Sequence, residues 1–164
     1  MMSTNKGFVL SVPKVITFNN TNIRIEKNVL DLFSKYEQHS KLNNEACGIL
    51  MCSIDKDFKN VYINHATSPQ PKDIRKYMYF FLKDKNHQKE LNMIYEKSKG
   101  TVFLCGTWHT HPEDVPIASK LDIEEWEKFI KGNAGTIEHF YFVIVGRKEI
   151  SIYTYVDKKV VLIS

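Results

Sequence analysis

The chain has 164 residues, a length that suits one compact domain with a buried core. Its hydrophobic fraction of 43% and charged fraction of 26% are those of an ordinary globular protein. Mean hydropathy is −0.33, and the longest apolar runs are far shorter than the roughly 20 residues that a membrane helix needs. The composition therefore excludes a helical membrane protein.

The formal net charge is +4, from 23 Lys and Arg against 19 Asp and Glu. The lysines are spread along the chain and form no basic block. This distribution favours a lysine-rich surface over a nucleic-acid groove. Residues 1–7 are polar and do not have the apolar core of a signal peptide. We therefore expect a cytoplasmic protein.

The cysteines are Cys47, Cys52 and Cys105, an odd number without regular spacing. This argues against a disulfide framework and agrees with a reduced environment. Cys47 and Cys105 could contact a metal, but we expect both to be small buried strand residues.

Hydrophobic periodicity predicts strands and helices that alternate along the chain. Strands are predicted at residues 15–18, 23–25, 46–53, 60–65, 101–108, 140–145, 150–155 and 160–163, and helices at residues 26–41, 87–99 and 119–131. Residues 1–13 are expected to form a frayed start or an edge strand. Because no repeat or linker interrupts this order, we expect a single α+β domain with α/β/α layers over residues 1–164.

An aromatic stretch at residues 77–81 follows Pro69 and Pro71. Two interpretations are open. The stretch could line a groove for an extended C-terminal tail, through strand addition or apolar pockets. The interpretation that we favour from the sequence is a helix packed in the core.

The segment that predicts chemistry contains His109 and His111. Alternate residues of a strand point to the same side, so the two imidazoles can lie together at a strand end, where Pro112 stops the strand. Ser119 begins a helix, and Asp122 in its first turn returns a carboxylate towards the histidines. Two His and one carboxylate make a three-ligand catalytic zinc site, with the fourth position left for water.

Proton transfer at such a site requires a further carboxylate, and Glu45 is the candidate. It precedes the apolar run of residues 46–50 at a strand edge, where an acidic side chain is a poor choice for packing alone. Gly48 in that run would let another backbone or a substrate approach closely.

Each of these residues also has a structural interpretation. Ser119 and Asp122 fit a helix N-cap and its reciprocal partner, which needs no metal. His109 and His111 could be structural histidines, and Glu45 could be a solvated strand end. The functional interpretation depends on the whole set occurring together at fixed spacing, and capping and metal binding are compatible.

These residues resemble the signature of JAB/JAMM (Mov34/MPN/PAD-1) metallopeptidases. The matching segments are residues 45–50, 109–112 and 119–122, and the His-x-His, seven residues, Ser-x-x-Asp spacing is met without a gap. Further likeness at residues 68–73, 87–88 and 105–113 is similar to the small bacterial JAB proteins of mobile elements and CBASS anti-phage operons. The pattern covers roughly residues 26–155, and it departs from that subgroup at Thr107, where an acidic residue is expected.

The resemblance implies a JAB/MPN fold, a curved mixed β-sheet flanked by helices. It implies one zinc ion per chain held by His109, His111 and Asp122. It further implies that Glu45 is the catalytic base and that Ser119 helps to stabilise the oxyanion.

The implied activity is that of a deubiquitinase-like zinc isopeptidase. The implied partner is a protein substrate with an extended C-terminal tail, either a ubiquitin-like conjugate or a cyclic-nucleotide synthase released from its targets in anti-phage defence. No membrane or nucleic-acid partner is expected. A peptidase that trims a sulfur-carrier protein, and a non-catalytic JAB scaffold or DNA-associated module, are the alternatives. A zinc deaminase is discounted because the chain has no Pro-Cys-x-x-Cys.

Overall fold

An eight-stranded mixed sheet forms the centre of the structure, a computed structural model that describes residues 13–164. Its strands are β1 (Lys14–Phe18), β2 (Thr21–Ile25), β3 (Cys47–Ile54), β4 (Asn60–Ala66), β7 (Phe103–Thr110), β8 (Tyr141–Val145), β9 (Ile150–Val156) and β10 (Lys159–Leu162). A separate hairpin consists of β5 (Ile74–Lys76) and β6 (Tyr79–Phe81). The helices are α1 (Lys27–Lys35), α2 (Asn86–Lys97) and α3 (Lys120–Gly132).

The strand order in the large sheet is β1-β2-β4-β3-β7-β8-β9-β10. The β2–β4 and β7–β8 pairs are parallel, and the other pairs are antiparallel. The register of β3 shifts against both of its neighbours, at Leu50/Met51 and at Met51/Cys52. Such bulges bend a strand and increase its twist, which accounts for a curved sheet.

Helices cover both faces of the sheet. Alternate residues of β8 point to opposite sides, so Val143 joins the core that includes Phe33 of α1, whereas Phe142 packs with Trp126 of α3. Leu91 of α2 packs with Ile49 on the face opposite α1. This confirms the α+β prediction with helices layered on a curved mixed sheet.

The predicted strands of the large sheet and the three predicted helices are present, with shifted ends. The largest shift is in α1, which was predicted at residues 26–41 and ends at Lys35. Beyond it, the buried Gln38 uses its side chain to bond backbone carbonyls of other segments, so the chain leaves the helical path. The prediction for residues 1–13 falls almost entirely outside the described residues.

The interpretation of residues 77–81 as a core helix is wrong. This stretch forms the turn and the second strand of the β5–β6 hairpin. Tyr79 and Phe81 are exposed, whereas Phe80 between them is half-buried. This alternation has the period of a strand and not that of a helix.

All three cysteines are free and buried, as expected for small strand residues. No helix in residues 13–164 has the length and apolarity needed to cross a membrane.

Candidate metal centre and active site

The two histidines lie where β7 ends between its neighbours. His109 is paired with Cys47 of β3 and with Ile144 of β8. The strand conformation continues past the end of β7, because the His111 N–H donates to the carbonyl of Val145 at 3.0 Å. Both side chains therefore point to the same side, as predicted, with His109 fully buried and His111 nearly so.

Asp122 reaches the histidines from the first turn of α3. Ser119 is the N-cap: its hydroxyl oxygen accepts from the Asp122 N–H at 3.0 Å, and the Asp122 carboxylate accepts from the Ser119 N–H at 2.9 Å. The same carboxylate places Oδ1 3.2 Å from His109 Nε2 and Oδ2 3.0 Å from His111 Nε2. The predicted capping box is thus confirmed, and it leaves the carboxylate free to face the imidazoles.

This donor set fits a zinc ion. The Nε2 atoms of His109 and His111 face each other at 3.0 Å, and one ligand atom from each of the two histidines and Asp122 can be chosen so that all lie within 4.8 Å of one another. His111 Nδ1 lies 2.6 Å from Glu113 Oε1. Because a carboxylate accepts, Nδ1 donates to it, so Nε2 is the His111 atom that would bind a metal. Two imidazoles and a carboxylate are the protein ligands of many catalytic zinc sites.

Aromatic packing orients the His109 ring. Phe80 of the hairpin stacks on it with ring centroids 4.6 Å apart, and Trp126 of α3 lies 6.0 Å away. Within the described residues, the His109 Nδ1 has no hydrogen-bond partner. Packing against the Phe80 and Trp126 rings therefore helps to orient the imidazole.

Burial and mutual contacts shift the pKa values of all three side chains. Burial lowers the pKa of His109, which keeps this imidazole in the neutral form that can ligate. Burial opposes ionisation of Asp122, but hydrogen bonds from His109 and His111 outweigh it and hold its pKa well below the ordinary value. Burial also opposes the charged form of His111, yet contact with Asp122 raises its pKa overall. The site is therefore a buried anion facing two imidazoles.

Glu45 lies at the same cavity, one residue before Ala46 and β3. The cavity measures about 720 Å³, and Glu45, His111, Ser119 and Asp122 all line it. Burial raises the pKa of Glu45 to about 8; His111 opposes the shift, whereas Asp122 adds to it. A carboxyl group whose proton affinity lies near neutral pH suits a residue that takes up and returns a proton.

Most of the remaining wall of the cavity is apolar. It comes from the hairpin on one side and α3 on the other, with Met78, Phe80, Phe81, Leu121, Trp126 and Phe129 as members. Several of these side chains are also open to solvent: Met78 is 75% exposed and Phe81 is 46% exposed. The position of residues 77–81 therefore agrees with the interpretation that we favoured less from the sequence, namely that this stretch lines a groove.

Gly48 allows a close approach, but of the protein's own backbone. A Cβ at this position would overlap the Thr67 carbonyl oxygen and the Trp108 indole nitrogen. The Trp108 indole N–H donates to the Thr67 carbonyl oxygen at 2.9 Å. This hydrogen bond lies against Gly48 of β3, and Trp108 directly precedes His109 in β7.

We expect Gly48→Ala to destabilise the fold by about 3 kcal/mol, the upper end of the usual cost of overpacking, because neither neighbour can move freely. Urea unfolding measures this. Gly132→Ala is the control, because a Cβ there meets no atom within 4 Å and the position is helical. It should be neutral or slightly stabilising, and an equal loss in both variants would contradict the explanation.

Two neighbours of the site were not assigned roles from the sequence. Glu113 lies within the matched segment but was given no function, although a carboxylate two residues from His111 is a signal for a residue that orients a ligand. Arg75 gave no local signal, since its contact with the Glu45 segment spans 30 positions.

Residues 26–156 match the family described as prokaryotic homologues of the JAB domain. The chain belongs to this prokaryotic JAB family. The match confirms the resemblance seen in the sequence, and it spans α1 through β9 together with Glu45 and the whole candidate metal centre.

Curated relatives of this prokaryotic JAB protein are named CD-NTase/cGAS isopeptidase. One from Escherichia coli is 32% identical over 133 residues, which cover 81% of each chain. One from Vibrio cholerae is 32% identical over 70% of this chain and 69% of the relative. One from Pseudomonas aeruginosa is 34% identical over 67% of this chain and 68% of the relative.

A solved structure shares the fold. A Desulfitobacterium hafniense protein, determined in solution, aligns with a TM-score of 0.54 and 16% identity, covering 85% of this chain and 88% of that one.

Proposed function

We propose that this prokaryotic JAB protein is a zinc-dependent isopeptidase that cleaves after the C-terminus of one protein in a conjugate. The observation that carries the proposal is the convergence of His109, His111 and Asp122 on one point, at a cavity that Glu45 and Ser119 also line. The relatives named as isopeptidases support the reaction class.

The proposed substrate is a cyclic-nucleotide synthase joined through its C-terminus to another protein in CBASS anti-phage defence. The support is the name of three relatives, CD-NTase/cGAS isopeptidase, which links an isopeptidase to a CD-NTase. The apolar cavity wall suits a protein substrate that is joined through an extended C-terminal tail. Such a tail can lie along the hairpin with its side chains in apolar pockets.

His109, His111 and Asp122 would hold one zinc ion, whose Lewis acidity polarises a carbonyl and makes water more acidic. Glu45 takes a proton from the attacking water as the water oxygen bonds to the scissile carbonyl carbon. It then delivers that proton to the leaving amine nitrogen when the C–N bond breaks, so that an acid and an amine are released.

Ser119 is proposed to stabilise the negative charge that develops on the carbonyl oxygen. Its hydroxyl oxygen already accepts from the Asp122 N–H, so the lone pairs are partly used while the O–H hydrogen remains to be donated. A donor held in place by a helix cap costs little reorganisation during the reaction.

The test is release of a carrier from two matched substrates: a synthase tail joined to a lysine side chain of a target, and the same tail in a linear fusion. Release from the lysine conjugate that stops with 1,10-phenanthroline and returns with zinc is expected. Preference for the linear fusion would favour the tail-trimming alternative. No release and no bound zinc would replace the proposal with a non-catalytic JAB module.

We expect Glu113→Gln to weaken zinc binding by about 10–100-fold, because glutamine holds the His111 Nδ1–H less strongly than a carboxylate. Competition with a zinc chelator measures the affinity, and turnover should return at saturating zinc. The control is Asp114→Asn, which changes the adjacent carboxylate that pairs with Arg147 and not with a histidine. Unchanged affinity in Glu113→Gln would remove Glu113 from this role.

A further inference from the structure

The β5–β6 hairpin is bonded to the backbone of Glu45. The Glu45 N–H donates to the Lys76 carbonyl at 2.7 Å, and the Glu45 carbonyl accepts from the Arg75 Nε–H at 2.7 Å. The Glu45 carboxylate itself has no hydrogen bond among the described residues. Its position therefore depends on where its backbone is held, and both backbone groups are held by the hairpin.

The Arg75 guanidinium also contacts the ring of Tyr36. The guanidinium carbon lies 5.8 Å from the ring centroid of Tyr36, which packs against Trp108 at 6.0 Å. Trp108 is fully buried and precedes His109 in β7. The arginine thus bridges the histidine-bearing part of the core and the Glu45 segment.

The turn of the hairpin is tied to the same region through Gln38. This buried amide donates to the Tyr77 carbonyl at 2.9 Å and to the Asn43 carbonyl at 3.0 Å, and it accepts from the Thr110 hydroxyl at 2.8 Å. Thr110 lies between the two histidines.

The base of the hairpin is tied down by Asp73. Its carboxylate accepts from the Asp84 N–H at 2.9 Å and lies 2.6 Å from His87 Nε2. His87 Nδ1 in turn lies 2.6 Å from the Thr67 hydroxyl. The order Thr67, His87 and Asp73 has the form of a hydrolytic triad, but Thr67 is fully buried and its oxygen also accepts from the Ile49 N–H. The chain of bonds is therefore a structural anchor.

We infer that Arg75 is a positioning residue, which fixes the Glu45 backbone and so couples the exposed face of the hairpin to the proposed catalytic carboxylate. The inference rests on the proposed function. The hairpin exposes Met78 and Phe81 towards the cavity, so a protein substrate that packs on them restrains the element that sets the position of Glu45.

The variant that tests this is Arg75→Met, which keeps an unbranched apolar stem and removes the donor. Because a displacement of about 1 Å can cost roughly 100-fold in rate, we expect kcat for the lysine conjugate to fall about 10- to 100-fold. KM should change little and zinc should remain stoichiometric. Arg75→Lys, whose ammonium can reach the same carbonyl, should recover most of kcat.

The matched control is Lys85→Met, which removes an exposed cation that follows the hairpin at the start of α2 and whose side chain makes no ion pair or hydrogen bond within residues 13–164. It should keep the wild-type kcat. A wild-type kcat in Arg75→Met, or an equal fall in Lys85→Met, overturns the inference.

A second readout does not depend on activity. The Glu45 amide hydrogen, bonded to Lys76 in the wild type, should exchange faster with solvent in Arg75→Met, as measured by NMR; unchanged exchange overturns the inference. If the wild type releases no carrier, the proposed function fails, and amide exchange still decides whether Arg75 restrains Glu45.

Discussion

Glu45→Ala is expected to reduce conjugate cleavage by about 10²–10⁴-fold, the usual contribution of a positioned general acid–base group. The Glu45 side chain is nearly buried at the cavity, and burial raises its pKa to about 8, so it can exchange a proton at neutral pH. Its hydrogen bonds to the hairpin are made by the backbone. Removal of the side chain therefore leaves the local structure in place.

Three measurements separate this effect from misfolding or metal loss: single-turnover cleavage, zinc content and melting temperature. Zinc should stay stoichiometric, because Glu45 is not among the three proposed ligands. Glu45→Gln should be as inactive as Glu45→Ala, since an amide of the same shape cannot take up the proton. Glu124→Gln, an exposed carboxylate of α3 paired with Lys120, should retain full activity. An active Glu45→Ala protein would disprove the assignment.

His109→Ala is expected to lose zinc and, with it, activity. Removing a residue that hydrogen-bonds a metal ligand usually lowers metal affinity by about 10–100-fold. Removing one of three direct ligands should lower the affinity further. His109 is fully buried and its ring packs on Phe80 and Trp126, and neither of these side chains can replace the imidazole as a ligand.

Zinc titration followed by melting temperature measures this loss directly. A ligand that binds only the folded state raises the melting temperature by mass action, so the wild type should gain stability with added zinc and His109→Ala should not. His139→Ala is the matched control, because His139 stacks on Phe58 and lies outside the metal centre. Full zinc occupancy in His109→Ala would remove this residue from the ligand set.

Strand and helix positions were predictable because they depend on residues close together in the chain. The apolar run that includes Val143 and Ile144 predicts a strand, and β8 forms there with helices on both of its sides. The capping box of Ser119 and Asp122 likewise marks the start of α3 within one turn.

The spacing of His109 and His111 was also sufficient to place two imidazoles together, since a strand repeats every two residues. The sequence by itself thus determined the element types of the large sheet and the three helices, the local geometry of the histidine pair and the cap that directs Asp122. It also carried the family resemblance, which depends on the same residues.

Only the tertiary structure determined which of these elements and side chains come together at the site. Glu45 reaches the cavity because β3 pairs with β7, and that register joins residues about 60 positions apart, which no local pattern specifies. The stretch at residues 77–81 is aromatic enough for either a core helix or a hairpin. Its position depends on Asp73, Gln38 and Arg75, whose partners lie far away in the sequence, so long-range hydrogen bonds placed this strand pair beside the site.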